Sequence, residues 1–261
     1  MRLLALIAAC APLLTAPPAA AEEALATDRP DVVESAEVVG RGRVQLEASL
    51  AGERNRQAGV TTQVWSTPFL LRLGVSDTVE LRLESDGRQR LRLSGAETGR
   101  ASGWSDAAVG LKWHSQDGDD ASGRPALAWL LHLDLDSGSA ALRGQGLRPS
   151  LRLVAEWELP QGLSLGVMPG LLQERNEAGR RYTAASLAVV MGRSLTEDWR
   201  VFGELAAHQL ASSRNGGSVL TLNAGTAWLL SPNAQLDLAL SRGLNRYSPD
   251  WGWTLGLSLR F

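Results

Sequence analysis

The chain has 261 residues, of which 44% are hydrophobic, and a formal net charge of -2. A charge this close to zero indicates neither a nucleic-acid-binding protein nor a polybasic protein of membrane surfaces. The hydrophobic residues are dispersed, because after Ala21 no apolar run approaches the roughly 18 residues that a transmembrane helix requires. If the chain enters a membrane, it must do so as a β-barrel.

The N-terminus has the three-part pattern of a secretory signal peptide. One positive charge at Arg2 precedes an apolar stretch from Leu3 to Leu14, and small residues run to Ala21. We predict a signal peptide over residues 1–21 with cleavage after Ala21. Cys10 has the context of a lipoprotein signal, yet the nine residues before it are too few for a charged region and a full apolar region. The mature chain is then predicted to contain no cysteine and no disulfide.

The mature chain alternates polar and apolar residues from about residue 42 onward. Arg43–Leu50 does so without a break, as a strand must when one face meets oil and the other meets water. We predict an all-β fold, a transmembrane antiparallel β-barrel of about twelve strands over residues 42–261. The predicted strands are Arg43–Leu50, Trp65–Leu73, Val79–Glu84, Asp106–His114, Leu127–Asp136, Leu147–Leu159, Leu163–Leu171, Thr183–Met191, Trp199–His208, Leu220–Leu230, Ala234–Ser241 and Trp251–Phe261.

The connections between these strands differ in length from one side to the other. Tight turns rich in turn-forming residues occur at 76–77, 160–162, 196–198 and 231–233. Longer polar links are predicted over Glu53–Val60, Asp86–Gly103, Ser137–Gly146, Gln173–Arg180, Leu210–Gly217 and Gly243–Asp250. Bacterial outer-membrane barrels place short turns in the periplasm and long loops outside the cell. We therefore predict periplasmic N- and C-termini and localisation in the outer membrane after export through the periplasm.

The strand face opposite each apolar stripe carries charged and polar side chains. A soluble sandwich would leave such residues on its surface, whereas a membrane barrel turns them toward its lumen. The predicted lumen-lining residues are Arg72, Glu80, Arg82, Glu84, Lys112, His132, Asp134, Arg148, Arg152, Glu156, Arg200, Glu204, His208 and Asp237. Arginines and glutamates on neighbouring strands can pair there. The sequence leaves open whether these pairs only fill the interior or line a narrow passage.

Residues 22–41 precede the first strand and allow two interpretations. This segment contains Asp28, Arg29 and Asp31, and it either enters the lumen as a plug or extends into the periplasm as a tail. If it is a plug, charge-assisted hydrogen bonds from lumenal arginines would hold its aspartates. The expected partners are Arg72, Arg148 and Arg152.

The C-terminal strand ends in Phe261, with apolar residues at every second position before it. This ending is similar to the signal by which the barrel-assembly machinery recognises bacterial outer-membrane proteins. Tryptophans on the predicted strands fall near both strand ends, as expected for aromatic girdles at the two membrane interfaces. Trp104 has the wrong strand parity for this pattern.

Three further patterns have simple structural explanations. The three histidines, His114, His132 and His208, are predicted to point inward as polar lumen lining. Asp117–Asp120 lacks the ligand spacing and closing glutamate of a calcium loop. Gly162–Gly166 matches the Gly-x-Ser-x-Gly pattern of hydrolases but opens a strand instead of a strand-to-helix turn. We predict no catalytic residue, no metal site and no cofactor.

Several segments carry a family resemblance. They are Thr27–Asp31 followed by Glu34 and Ser35, Gly42–Glu47, Leu70–Asp77 leading into Val79–Arg82, Gly243–Asn245, and Ser248–Trp251. Together they resemble the outer-membrane transporter family named after the MetA pathway of phenol degradation. The resemblance covers nearly the whole mature chain and implies an outer-membrane barrel that takes up small molecules. It implies no catalytic residues, and the link to aromatic compounds comes from the family name alone.

We expect a transporter or channel for passive passage of small molecules, hydrophobic or aromatic ones among them. Its expected partners are outer-membrane lipid, the barrel-assembly machinery and an unknown small-molecule solute, with no nucleic acid. One alternative is an outer-membrane lipid-modifying enzyme, which would hold a histidine and a serine on its lipid face. The other alternative is a structural surface barrel, which would usually carry longer extracellular loops.

Overall fold

The computed structural model describes residues 24–176 and 178–261. The predicted signal peptide, residues 1–21, and Cys10 lie outside these ranges. The two helices within them are short 3-10 turns at Pro160–Gly162 and Ser213–Asn215, and no helix there is long and apolar enough to cross a membrane. Antiparallel strands make up almost all of the regular structure.

Fifteen strands form one antiparallel sheet. In chain order they are β1 (Val44–Gln57), β2 (Val60–Ser66), β3 (Phe69–Gly74), β4 (Val79–Ser85), β5 (Arg88–Gly95), β6 (Gly99–Trp104), β7 (Ala107–Gln116), β8 (Ala126–Asp134), β9 (Arg148–Leu159), β10 (Leu163–Arg175), β11 (Arg181–Ser194), β12 (Trp199–Leu210), β13 (Val219–Ser231), β14 (Ala234–Gly243) and β15 (Trp251–Arg260). The last strand, β15, also pairs with β1, which closes the sheet into a barrel.

The barrel wall contains twelve strands because three of them are each interrupted once. The interruptions separate β2 from β3, β4 from β5, and β6 from β7, and each is two residues long. For example, β2 and β3 both pair with β1, with Ser66 opposite Ala51 and Phe69 opposite Ala48. The prediction of a closed antiparallel barrel of about twelve strands is confirmed.

Alternating residues of each strand face opposite environments. On β1 the side chains of Gln45 and Glu47 are fully buried inside, whereas Leu46 and Leu50 are exposed on the outside. Leucine is by far the commonest exposed large hydrophobic residue in the described part of the chain, followed by tryptophan. An apolar outer wall around a polar interior fits hydrocarbon on the outside. A soluble sandwich has the reverse arrangement.

The two rims of the barrel differ. We call the rim with the connections 75–78, 160–162, 195–198 and 232–233 the turn side, and the rim with the connections 135–147, 176–180, 211–218 and 244–250 the loop side. Both ends of the barrel lie on the turn side, where Val44 and Phe261 exchange backbone hydrogen bonds of 3.1 and 2.8 Å. Trp199 and Trp228 stack near this rim at 5.2 Å between ring centroids. Trp65 and Trp253 meet edge to face near the opposite rim.

The prediction of polar loops over Glu53–Val60 and Asp86–Gly103 is wrong. Most of these residues belong to the end of β1, the start of β2, and β5 and β6, which form a four-stranded extension on the loop side. The apolar stripe that marks a membrane-spanning strand is absent there, because arginines occupy the outward positions of β5. The interruption before Ala107 also accounts for the anomalous parity of Trp104.

Candidate functional site

Residues 24–41, which we call the lumenal segment, lie inside the barrel without regular secondary structure. The segment enters from the turn side, where the N–H of Leu25 donates to the carbonyl of Pro232 at 2.8 Å. It returns to the same side, where the N–H of Gly42 donates to the carbonyl of Gly74 at 2.9 Å. A Cβ at Gly74 would overlap the carbonyl oxygen of Gly40, so glycine is required at this approach.

A group of buried charges joins the segment to the wall. This charged cluster consists of Asp28 and Glu34 from the segment, with Glu47, Arg72, Glu80, Arg82 and Lys112 from β1, β3, β4 and β7. Asp28 is at its centre, with the Nζ of Lys112 at 2.7 Å from Oδ1 and the Nη1 of Arg72 at 3.4 Å from Oδ2. Arg82 Nη2 lies 2.7 Å from Glu34 Oε2. Three cations therefore meet four carboxylates in one contiguous cluster.

Every member of the charged cluster is removed from solvent, which makes its pairing essential. Burying an ion costs several kcal/mol unless it is paired and its remaining hydrogen-bonding capacity is used. Burial alone would raise the pKa of Asp28, but the positive charges of Arg72, Lys112 and Arg82 hold that pKa well below its usual range. The aspartate is therefore ionised and bound to the wall.

Wall glutamates also bind the backbone of the segment. Glu47 accepts the N–H of Asp28 at 3.1 Å, and Glu204 accepts the N–H of Val33 at 2.8 Å. Further bonds run from the N–H groups of Val32, Ala36 and Val39 to Glu204, Glu156 and Glu80. A carboxylate that accepts an N–H forms a strong, charge-assisted bond. The segment is therefore fixed along much of its length by four acidic side chains of the wall.

The segment also packs against an apolar part of the interior. Val33 and Ala36 join a buried cluster whose wall members are Ala128, Leu130, Val154, Met168, Ala188, Val190, Phe202, Ala206 and Ala239. Two further ion pairs flank this contact: Arg200 Nη2 lies 2.7 Å from Asp31 Oδ2, and Arg29 Nη2 lies 3.5 Å from Asp237 Oδ1. The lumen is thus matched to the segment in shape as well as charge.

Some of the predicted lumen-lining residues have other partners in the structure than the ones we expected. Arg72 contacts Asp28, but Arg148 pairs with Asp106 at 3.1 Å and with Glu174 at 3.4 Å. Arg152 pairs with Glu34 at 3.3 Å. The expected pairing of Arg148 and Arg152 with the aspartates at 28 and 31 is wrong. Strand parity gives the direction of a side chain but not its depth in the lumen, so these partners could not be read from the sequence.

The remaining predicted residues also face the interior. Glu84 Oε1 lies 2.9 Å from His132 Nδ1, and His208 Nε2 lies 3.0 Å from Thr221 Oγ1. Asp134 borders a lumenal cavity. Each histidine thus has its own separate partner, His114 being bound to Ala36 and Asp117. Within residues 24–176 and 178–261 no group of three or more His, Cys, Asp or Glu side chains could hold a metal ion.

Two cavities open between the segment and the loop side. The first, of about 490 Å3, is polar, and Asp28, Arg82, Asp106 and Arg148 contribute to its lining. The second, of about 470 Å3, is bordered by Pro30 and Val32 of the segment and by side chains of the opposite wall. These are His208, Thr221, Asn223, Tyr247, Pro249 and Thr254. Both cavities end on residues of the segment, which therefore separates them from the turn side.

Comparison with known proteins agrees with this architecture. The family model described as "Putative MetA-pathway of phenol degradation" matches residues 27–261. The COG4313 outer membrane channel from Pseudomonas putida F1 is 12% identical with a TM-score of 0.66, over 87% of this chain and 98% of that chain. The β domain of the Bordetella autotransporter BrkA is 14% identical with a TM-score of 0.57, over 84% and 99%.

The KdgM porin, in complex with disordered oligogalacturonate, is 10% identical with a TM-score of 0.53, over 84% of this chain and 99% of that chain. At these identities the likeness shows a shared outer-membrane barrel fold. No curated protein matches the chain.

Proposed function

We propose that this chain, which belongs to the family described as "Putative MetA-pathway of phenol degradation", is an outer-membrane channel for passive passage of small molecules. The observation that carries the proposal is the lumenal segment. A barrel whose interior serves only as packing would need no separate peptide bound by wall glutamates and a charged cluster. A segment that is not part of the sheet can be displaced without unfolding the wall, and displacement would join the loop-side cavities to the turn side.

The second cavity suggests the class of solute. It combines an aromatic surface at Tyr247 and apolar surfaces at Pro30 and Val32 with hydrogen-bonding groups at His208, Thr221 and Asn223. Ligand sites of this kind use apolar walls for affinity and a few polar groups for orientation. Together with the phenol-related family description, this lining supports small hydroxylated aromatic compounds as solutes.

The rest of the proposal concerns how the chain is exported, oriented and assembled in the outer membrane. We propose that residues 1–21 direct export, that the turn side faces the periplasm, and that the C-terminal strand ending in Phe261 is read by the barrel-assembly machinery. The wall itself acts without catalysis: an enzyme acting on membrane lipid would need a histidine on the outer face, and all three histidines contact lumenal or turn-side partners.

Swelling of proteoliposomes tests the solute class. We expect faster swelling with 4-hydroxybenzoate than with arabinose, which is similar in size but has no aromatic ring. The double variant His208→Leu and Thr221→Val should slow the aromatic solute and leave arabinose unchanged, and the control Thr62→Val should change neither rate. Equal rates for the two solutes would contradict the aromatic preference. No swelling with either solute, even after removal of residues 22–39, would contradict channel function.

A further inference from the structure

The outer face of the loop-side extension carries six arginines. In the sheet register Arg90 lies opposite Trp65, and Arg92 lies opposite both Gln63 and Arg100. Directly opposed residues point to the same face, so these side chains share the outward face of Trp65. The same register adds the others. The full set, which we call the arginine patch, is Arg54, Arg56, Arg88, Arg90, Arg92 and Arg100.

Asp250 borders the arginine patch at Arg54 and Arg56 and accepts the backbone N–H of Arg56 at 2.8 Å, so the uncompensated part of the patch is the four arginines of β5 and β6. The strands β2, β5 and β6 contain no aspartate or glutamate. Glu53, the nearest acid on β1, has the opposite parity and borders a lumenal cavity. All six arginines are exposed, and among the contacts of residues 24–176 and 178–261 none of them forms an ion pair. This concentration of exposed positive charge attracts anionic ligands.

The position of the arginine patch along the barrel axis identifies that partner. The apolar outer wall of β1 ends at Leu50, and Trp65 and Trp253 mark the aromatic girdle at the same level. Arg88 and Arg90 lie at the level of this girdle, and the other four arginines lie beyond it. At that depth a barrel wall meets the headgroups of the surrounding lipid, and guanidinium groups bind phosphate through paired N–H donors.

Two grooves on this face are lined by apolar side chains together with arginines. One, of about 520 Å3, is lined by Trp65 and by the four arginines of β5 and β6. The other, of about 240 Å3, is lined by Leu50, Trp65, Arg88 and Arg90. Each groove therefore offers an apolar wall and a cationic wall at the membrane boundary. This arrangement fits an amphiphile that has acyl chains and a phosphorylated headgroup.

We propose that the arginine patch binds the phosphate groups of lipopolysaccharide, with its lipid A part seated against Leu50 and Trp65. The choice of this lipid rests on the proposed orientation, in which the loop side faces the outer leaflet. Binding there would anchor the extension, which has a free edge at β6, in the plane of the outer leaflet.

Binding of lipid A to the purified, folded barrel in detergent tests the proposal. Measurements are made with a chelator present, so that divalent cations cannot bridge phosphate to acidic groups. We expect bisphosphorylated lipid A to bind at least about tenfold more tightly than its dephosphorylated form, because hydrogen bonds to charged groups are the strong ones. The variant Arg88→Gln, Arg90→Gln and Arg92→Gln should lose most of this difference.

The control variant Arg180→Gln, Arg181→Gln and Arg214→Gln removes the same charge from exposed positions on the same side. It should keep the preference for phosphorylated lipid A. An equal loss in both variants, or phosphatidylglycerol binding as tightly as lipid A, would overturn the proposal. The assay is independent of conductance and of orientation in a membrane, so failure of the channel proposal and failure of this one can be told apart.

Discussion

Lys112 Nζ lies 2.7 Å from Asp28 Oδ1, and both side chains are completely or almost completely buried. This ion pair joins the lumenal segment to β7. Removal of one member of a buried pair leaves an uncompensated charge in a poorly solvated place, and such losses cost about 3 to 5 kcal/mol. The segment and the wall are therefore expected to be energetically coupled through this contact.

A double-mutant cycle measures this coupling. Asp28→Asn and Lys112→Gln should each lower the free energy of unfolding of the barrel in urea, and together they should cost less than the sum by about 1 to 3 kcal/mol. The control pair is Arg143 and Asp136, which are half-exposed at 3.4 Å. Their cycle should give about 0 to 1 kcal/mol. A coupling of that smaller size for Asp28 and Lys112 would mean that the lumenal contact contributes little.

Glu204 is predicted to control access to the segment. Glu204→Ala removes the acceptor of the N–H groups of Val32 and Val33, so the segment should loosen locally. A cysteine placed by Val33→Cys, in a mature chain expected to have no other cysteine, should react slowly with a maleimide and at least about tenfold faster when Glu204→Ala is added. The control Glu197→Ala, an exposed turn-side position, should not change the rate. Fast reaction in the parent would contradict a bound segment.

The orientation of the barrel gives a labelling prediction. Cysteines introduced at Gln57 on the loop side and at Glu197 on the turn side are both exposed. An impermeant reagent should label the first on intact cells and the second only after the outer membrane is opened. Labelling of position 197 on intact cells would reverse the proposed orientation.

Substitutions at Phe261 can test recognition during assembly separately from closure of the barrel. The backbone of Phe261 pairs with Val44, while its ring is exposed. Phe261→Ala keeps the backbone pairing and removes the ring, so it should lower the amount of heat-modifiable, folded protein in the outer membrane. Phe261→Tyr keeps an aromatic ring and should restore the amount. A full yield from Phe261→Ala would show that the terminal ring is not needed for assembly.

The sequence is most informative where the wall meets hydrocarbon. Alternation of leucine with charged residues gave the twelve strands, because a membrane requires a continuous apolar stripe. That signal ends where β5 leaves the hydrocarbon, so Arg88–Gly95 had the composition of a loop. The lumenal segment was harder to predict. Every residue except proline offers a backbone N–H, so nothing in the sequence distinguishes Val33 as a partner of Glu204.

Single-channel conductance in planar bilayers tests the central claim that the lumenal segment closes a channel. Deleting residues 22–39 while keeping the signal peptide should raise the conductance, and Asp28→Asn should give an intermediate rise. The control Asp120→Asn, at an exposed turn-side position, should conduct like the parent. If the truncated barrel inserts and is heat-modifiable but conducts no better than the full chain, the segment does not close the channel.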